Sequence, residues 1–575
     1  MRPGLVSAPR SARTLQAMAL ALALTPGSTS PVAAALYGHR SQELLDGIGG
    51  LVTPGFAFAN DGLGRALAVG DWNGDGYDDL AVAEMESLVG QNEGAVRILY
   101  STSAGLLGAG ALPPQLLYDF IPETGALDRE AFDDFGSALA TGNFDCDAYD
   151  DLVIAIPGEN IGAAGDAGAV LVLQGSPAGL VTANLLDFEP QRFYQGLASV
   201  GDAAETGDRF GAALAVGNLD GNSGHDLAIG VPGENAAQGA VVVLYSASGC
   251  PGLGLVVPQH LDQDSPGMLD AGEAGDAFGY ELAAGDFAGD VADDLAIGVF
   301  GEDVEGQTDA GAVQVVYGLP SSGLLPANNQ FWHENSIDAG GFTESGDHFG
   351  EVLAAGDLDG DFIDELAIGA PAEDVSFHPD AGALTVLKGA SPLGLTTDSA
   401  THFDQSGVVD GEALGDFDNF AYSLRIGDFV EGTSAGNDLA VGIPQESVGS
   451  PVPFAFVGAV TLIPGGGATL EIGAATLWSK GFYGSAGVLL DSPEYYGYAL
   501  AAGDFDGNGH DDLAIGAVQV EGIHPGGSPV TSGAVYSLYG ALFSDGFENN
   551  NVTRWSGSVG CGSCLAPKEP QGLRP

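Results

Sequence analysis

An internal repeat limits what this chain can fold into more than any other feature. The stretch "GDFDGNGHDDLAIG" at 503–516 recurs as "GDWNGDGYDDLAV" from Gly70, "GNFDCDAYDDLVI" from Gly142, "GNLDGNSGHDLAIG" from Gly217, "GDFAGDVADDLAIG" from Gly285 and "GDLDGDFIDELAIG" from Gly356. A lengthened copy, "GDFVEGTSAGNDLAVG", starts at Gly427. The copies open at 71, 143, 218, 286, 357, 428 and 504, so the unit is about 70 residues and seven units cover nearly the whole chain. Repeats of this kind bury their apolar faces against their neighbours, so the units must stack.

Each unit has the same internal order. An aromatic–glycine pair leads, as in Phe135-Gly136, Phe210-Gly211, Phe278-Gly279, Phe349-Gly350 and Tyr496-Gly497. A short "LAxG" strand follows, then the acidic loop, then the return strand "DLAIG". After a turn come a third strand, such as "GAVVVLY" (239–245), and a fourth apolar stretch, such as "NNQFWHEN" (328–335). Four short antiparallel strands per unit predict an all-β chain, a seven-bladed β-propeller of four-stranded antiparallel blades. The small residues of the first two strands suit the crowding near the axis.

These motifs resemble FG-GAP repeats, the unit of the integrin α-subunit N-terminal propeller. The Phe-Gly pairs are one half of that signature; "IGAP" (368–371), "IGVP" (229–232) and "VGIP" (441–444) are the other, with the acidic loop between them. Departures are Leu63-Gly64 and Phe420-Ala421 at the first half, and "AVAE" (81–84), "IGVF" (297–300) and "IGAV" (515–518) at the second. The resemblance implies a propeller over 36–542. It also implies that ligands are met on the face opposite the acidic loops.

Oxygen side chains at alternate positions of a glycine-rich hairpin suit a hard cation with six to eight oxygen ligands, and calcium is the expectation. Positions 1, 3, 5 and 9 supply side chains and position 7 a main-chain oxygen. Blade one then offers Asp71, Asn73, Asp75, Tyr77 and Asp79, and blade two Asn143, Asp145, Asp147, Tyr149 and Asp151. Blade three offers Asn218, Asp220, Asn222, Gly224 and Asp226, and blade five Asp357, Asp359, Asp361, Ile363 and Glu365. Blade seven offers Asp504, Asp506, Asn508, His510 and Asp512. Blade four keeps Asp286, Asp290 and Asp294 but has Ala288 at position 3, so a weaker sixth site is expected there. Blade six retains only Asp428 and Asp438 in register and is expected to hold none. An EF-hand is excluded, because Val82 and Ile515 stand where its twelfth-position glutamate belongs. The expected role of the metal is structural: each loop gathers carboxylates that repel one another until a cation neutralises them.

Recurring acids also mark the opposite ends of the strands, Glu159, Glu234, Glu302 and Glu373 after the second strand and Asp208, Asp276 and Asp347 before the first. Residues repeated in every blade suit capping or blade-to-blade contact. Ligand specificity is expected instead from residues that do not repeat, such as Arg209, Trp332, His333 and His348.

The formal net charge of −63 excludes a nucleic-acid binder, which needs basic patches. Residues 1–35 read as an export signal: Arg2, Arg10 and Arg13, the apolar run "LQAMALALAL" (15–24), and "AAA" at 33–35. No later run is long enough for a membrane span. The tail, 543–575, carries no repeat; its "CGSC" (561–564) reads as a local disulfide, while Cys146 and Cys250 stand apart. "GTSAG" (432–436) matches GxSxG but opens no helix, so no catalytic residue is assigned. The expected function is an exported calcium-binding adhesion module for an extracellular protein or glycan. The alternative is a carbohydrate-active propeller, a lyase or hydrolase, working on the face away from the loops.

Overall fold

In the computed structural model, seven four-stranded antiparallel sheets form the blades of a propeller. The described residues are 41–45 and 62–539, outside short stretches of which the longer are 86–92, 183–189, 409–413, 431–435, 448–456, 480–493 and 524–528. The export segment, the tail and most of "GTSAG" lie outside them. Blade one comprises Leu67–Gly70, Asp79–Glu84, Ala95–Leu99 and Gln115–Leu117, and blades two to six repeat that order. Blade seven takes Tyr496–Gly503, Asp512–Ile523 and Pro529–Leu538 from the end of the chain and its outer strand, Ser41–Leu45, from the beginning. Ser41 pairs with Leu538 and Leu45 with Ala534, so one sheet joins the two ends and closes the ring. The first strands of successive blades contact one another around the axis.

The second and third strands are buried on both faces, which explains why they read as continuous apolar runs. Alternate side chains enter alternate seams. From blade one, Ala81, Ala83, Val96 and Ile98 pack on Leu152, Ile154 and Leu171 of blade two. Leu80, Val82 and Leu99 turn the other way, onto Ala501, Phe505 and Val535 of blade seven. Stability therefore sits between blades. Near the axis the first strands allow little bulk: a Cβ on Gly142 would lie 2.6 Å from Val216 Cγ1.

The aromatic–glycine pair works at the same seams. Phe135 is fully buried, and the Gly136 amide donates to Ala155 O at 2.8 Å. Gly136 has φ +85°, and a Cβ there would meet Val96 Cγ2 at 2.6 Å. Ala421 fills the same position in blade six at φ 69°, a conformation costing a non-glycine residue about 1 kcal/mol or more.

A second device ties blades near their rims. Tyr100, Tyr245, Tyr317 and Tyr539 end third strands, and their hydroxyls accept the backbone amides of Leu180, Leu324, Leu395 and Leu106 in the following blade, at 3.0, 3.0, 2.9 and 3.1 Å. The glycine before each leucine is required by this approach: a Cβ on Gly179 would sit 1.9 Å from the Tyr100 hydroxyl oxygen. Tyr539 to Leu106 carries the link from the last blade to the first.

Candidate metal centres

In every blade the acidic loop joins the first strand to the second, so all seven loops emerge at one end of the strands. Position 8 of each loop, which carries no assigned metal role, binds the preceding blade. Its carboxylate accepts the position-1 amide in Asp71–Asp150 (3.0 Å), Asn218–Asp293 (2.7 Å), Asp286–Asp364 (2.9 Å), Asp428–Asp511 (2.9 Å) and Asp504–Asp78 (2.9 Å). His225 Nδ1 does the same for Asn143 at 3.0 Å. At the remaining seam the reverse link forms, Asn437 N to Asp357 O at 2.8 Å. These links form a ring, so the geometry of each loop is set by its neighbour.

Position 9 is also structural. Asp151 accepts Phe144 N at 3.1 Å and Gly175 N at 3.1 Å, fastening its own loop to the end of the third strand. Asp226, Asp294 and Asp438 bind in the same way. All seven position-9 acids are buried. Burial first, and in the intact loops neighbouring carboxylates as well, push Asp79, Asp151 and Asp294 up to about 8 and Asp226 to about 7. Asp438, in the lengthened loop, is raised only to about 6. Two amide hydrogen bonds on the same carboxylate leave less room for bidentate metal ligation than the sequence suggests.

Positions 1, 5 and 7 shape the hairpin. Asp71 accepts the amides of Gly74, Asp75 and Gly76 at 2.8, 3.0 and 2.8 Å, and Asp357 and Asp504 grip their loops alike. The position-5 side chain accepts the position-7 amide at Tyr77, Tyr149, Gly224, Ile363 and His510. Blade four keeps this bond, Ala292 N to Asp290 at 2.9 Å, despite Ala288.

Three acids converge to within 4.8 Å in two of these loops, Asp504, Asp506 and Asp512 in blade seven and Asp357, Asp359 and Asp361 in blade five. Among the described residues the other loops bring no such trio together. Amides stand among their ligands: Asn73 Nδ2 lies 3.2 Å from Asp79, and Gln174 Nε2 donates to Asp145 at 2.8 Å. Blades two and three nevertheless fit a cation, because Asn143 Oδ1 and Asn218 Oδ1 are buried without a hydrogen-bond partner. In blade six, 431–435 lie outside the described residues, and Asp428 holds His510 Nδ1 of blade seven at 2.9 Å. Cys146, isolated in sequence, is disulfide-bonded, its partner lying outside the described residues.

Blade five holds a residue that sequence reasoning missed. Lys388 ends the third strand where four other blades have the latch tyrosine, and its Nζ reaches into the loop. It donates to Asp359 and, at 3.0 Å, to Asp361, with Glu365 Oε1 4.0 Å away. These acids raise the lysine above its usual range against the opposing effect of burial. The loop thus carries its own cation. The signal was available: position 388 is the one basic residue among Tyr100, Gln174, Tyr245, Tyr317, Pro464 and Tyr539.

The family model for FG-GAP repeats matches residues 63–99, 135–173, 210–244, 349–387 and 496–538. The chain carries five FG-GAP repeats. The matched FG-GAP stretches are blades one, two, three, five and seven, whose loops keep the fuller ligand sets. Integrin alpha-PS2 of Drosophila melanogaster is 28% identical over 249 residues, covering 42% of this chain and 15% of that protein. Integrin alpha-5 of Xenopus laevis is 26% identical over 249 residues, 42% of this chain and 20% of that protein. The phosphatidylinositol-glycan-specific phospholipase D of Homo sapiens is 28% identical over 225 residues, 38% of this chain and 24% of that protein. The aligned part is thus a quarter or less of each of these relatives. Among solved structures, rhamnogalacturonan lyase YesW aligns over 84% of this chain and 72% of its own at 14% identity, with a TM-score of 0.37. That likeness has no bearing on activity.

Proposed function

We propose that this FG-GAP propeller is an exported, calcium-stabilised binding module without catalytic function, recognising an extracellular protein or glycan on the face opposite its acidic loops. Calcium is the cation the donor sets favour, since every proposed ligand is oxygen and the loops are built on alternating side chains. Blade seven is the strongest proposed site and blades one, two and three follow. Blade four is weaker, and blade five binds only when Lys388 is displaced. Among the described residues no helix is long and apolar enough to cross a membrane.

The observation that carries the binding role is a break in the repeat. Phe300 stands where four other blades have proline, and its ring stacks between Tyr280 at 4.3 Å and His348 at 4.0 Å. Tyr280 is 37% exposed, so the stack is open to solvent at the far ends of the strands from the loops. A second aromatic pair, Tyr422 and Tyr498, lies 5.1 Å apart at the same ends of blades six and seven. Aromatic faces beside polar groups recognise sugar rings and peptide side chains through apolar contact with fixed hydrogen bonds. A glycan and peptide array tests this: retention of intact ligand, lost in Phe300→Ala, supports the reading. New reducing ends or unsaturated uronates would replace it with catalysis.

A further inference from the structure

The strand ends opposite the acidic loops carry a second set of acids at the seams between blades. At five seams among the described residues, a residue just after the fourth strand lies by the acid before the next first strand or the glutamate after the next second strand. At three seams the first member is glutamine, and its amide neutralises the arrangement: Gln195 donates to Glu234 at 2.7 Å, Gln263 to Glu302 at 2.8 Å, and Gln405 to Glu446. Between blades one and two it is Asp119, and a cation is built in, Arg192 lying 3.3 Å from Asp119 and 2.8 Å from Glu159.

Between blades four and five neither device is present. Glu334 takes the glutamine's place and faces Asp347 and Glu373, the three offering carboxylate oxygens within 4.8 Å of one another. Glu334 is 3% exposed, Asp347 2% and Glu373 8%. Both carboxylate oxygens of Glu334 and Oε2 of Glu373 are buried without a hydrogen-bond partner. Among the described residues, the charged groups around them are Glu344 and Asp374, which add negative charge, and His348, which is 3.6 Å from Glu351. A buried carboxylate with neither donor nor counter-charge is strongly unfavourable, which calls for a cation at this seam.

The geometry points to a divalent cation, calcium, bound by Glu334 of blade four and by Asp347 and Glu373 of blade five, a seam site separate from the acidic loops. Oxygens held about 2.4 Å from a calcium ion lie at most about 4.8 Å apart, and the three carboxylates fall within that limit. Three carboxylates leave room for water to complete six or more ligands. The ion would staple two blades where four other seams use an amide or an arginine.

The test compares the full chain with Glu334→Gln, which rebuilds the glutamine seam found three times elsewhere and so should fold. Bound calcium is counted by equilibrium dialysis near neutral pH, and melting is followed in calcium and in chelator. The variant should bind one equivalent fewer per chain and melt higher than the parent in chelator, with a smaller response to calcium. This holds whatever the loops bind: with inactive loops the count falls from one to none. Equal counts overturn the proposal. If the parent's chelated melting point then rises on acidification and the variant's does not, the trio shares a proton instead.

Discussion

Lys388 gives the most incisive perturbation, because it makes opposite predictions with and without metal. Replacing it by methionine keeps the aliphatic stem and removes the ammonium from Asp359, Asp361 and Glu365. Without calcium, the loop loses two charge-assisted hydrogen bonds, each worth about 1.5–3 kcal/mol when sheltered. Lys388 is 27% exposed, so solvent screening lowers the total to about 1–3 kcal/mol. With calcium the sign reverses. In the parent an entering ion must first expel the ammonium, and about 1–3 kcal/mol of lost contact corresponds to an affinity roughly 5- to 150-fold weaker. Lys388→Met should therefore melt lower than the parent in chelator, yet gain a tighter calcium site by isothermal titration. A variant that bound calcium no better than the parent would refute the assignment of Lys388 as the loop's internal cation.

Two further outcomes follow from the same structure. Tyr245→Phe strands the buried Leu324 amide and should cost about 1–3 kcal/mol in urea unfolding with no change in calcium binding; a loss below about 0.5 kcal/mol would mean the latch is dispensable. In chelator, Asp79, Asp151 and Asp294 are raised to about 8, so the native state holds protons that the unfolded chain has already released. Metal-free stability should then fall as pH rises between about 5 and 8, whereas in calcium it should rise as protons cease to compete with the ion. Melting curves across that range check this, and parallel trends in the two conditions would contradict it.

The blades were legible because strand, loop and return strand recur with a fixed spacing, and the Phe-Gly pairs mark where each begins. The closing strand was not: Ser41–Leu45 carries no repeat motif, and its place is set by pairing with a partner almost 500 residues away. The loop acids were legible as a set, but not their division of labour. Position 8 links blades and position 9 fastens three strands, yet by residue type alone both pass for ligands. The tyrosine latch was spelled out by Tyr100, Tyr245, Tyr317 and Tyr539 together with Gly-Leu in the next blade. It was missed because its two halves lie about 80 residues apart, except at Tyr539 and Leu106, which sit near opposite ends of the chain. Lys388 and Glu334 were hidden for the opposite reason: each matters as an exception to its own column of the repeat.

The central claim, that these hairpins gather oxygen ligands to hold calcium, is tested most directly by anomalous diffraction from crystals grown with calcium. The account predicts a peak between Asp504, Asp506 and Asp512 in blade seven, with Asp506 and Asp512 at about 2.3–2.6 Å from the ion. Ordered water there, with no anomalous signal at saturating calcium, would contradict it.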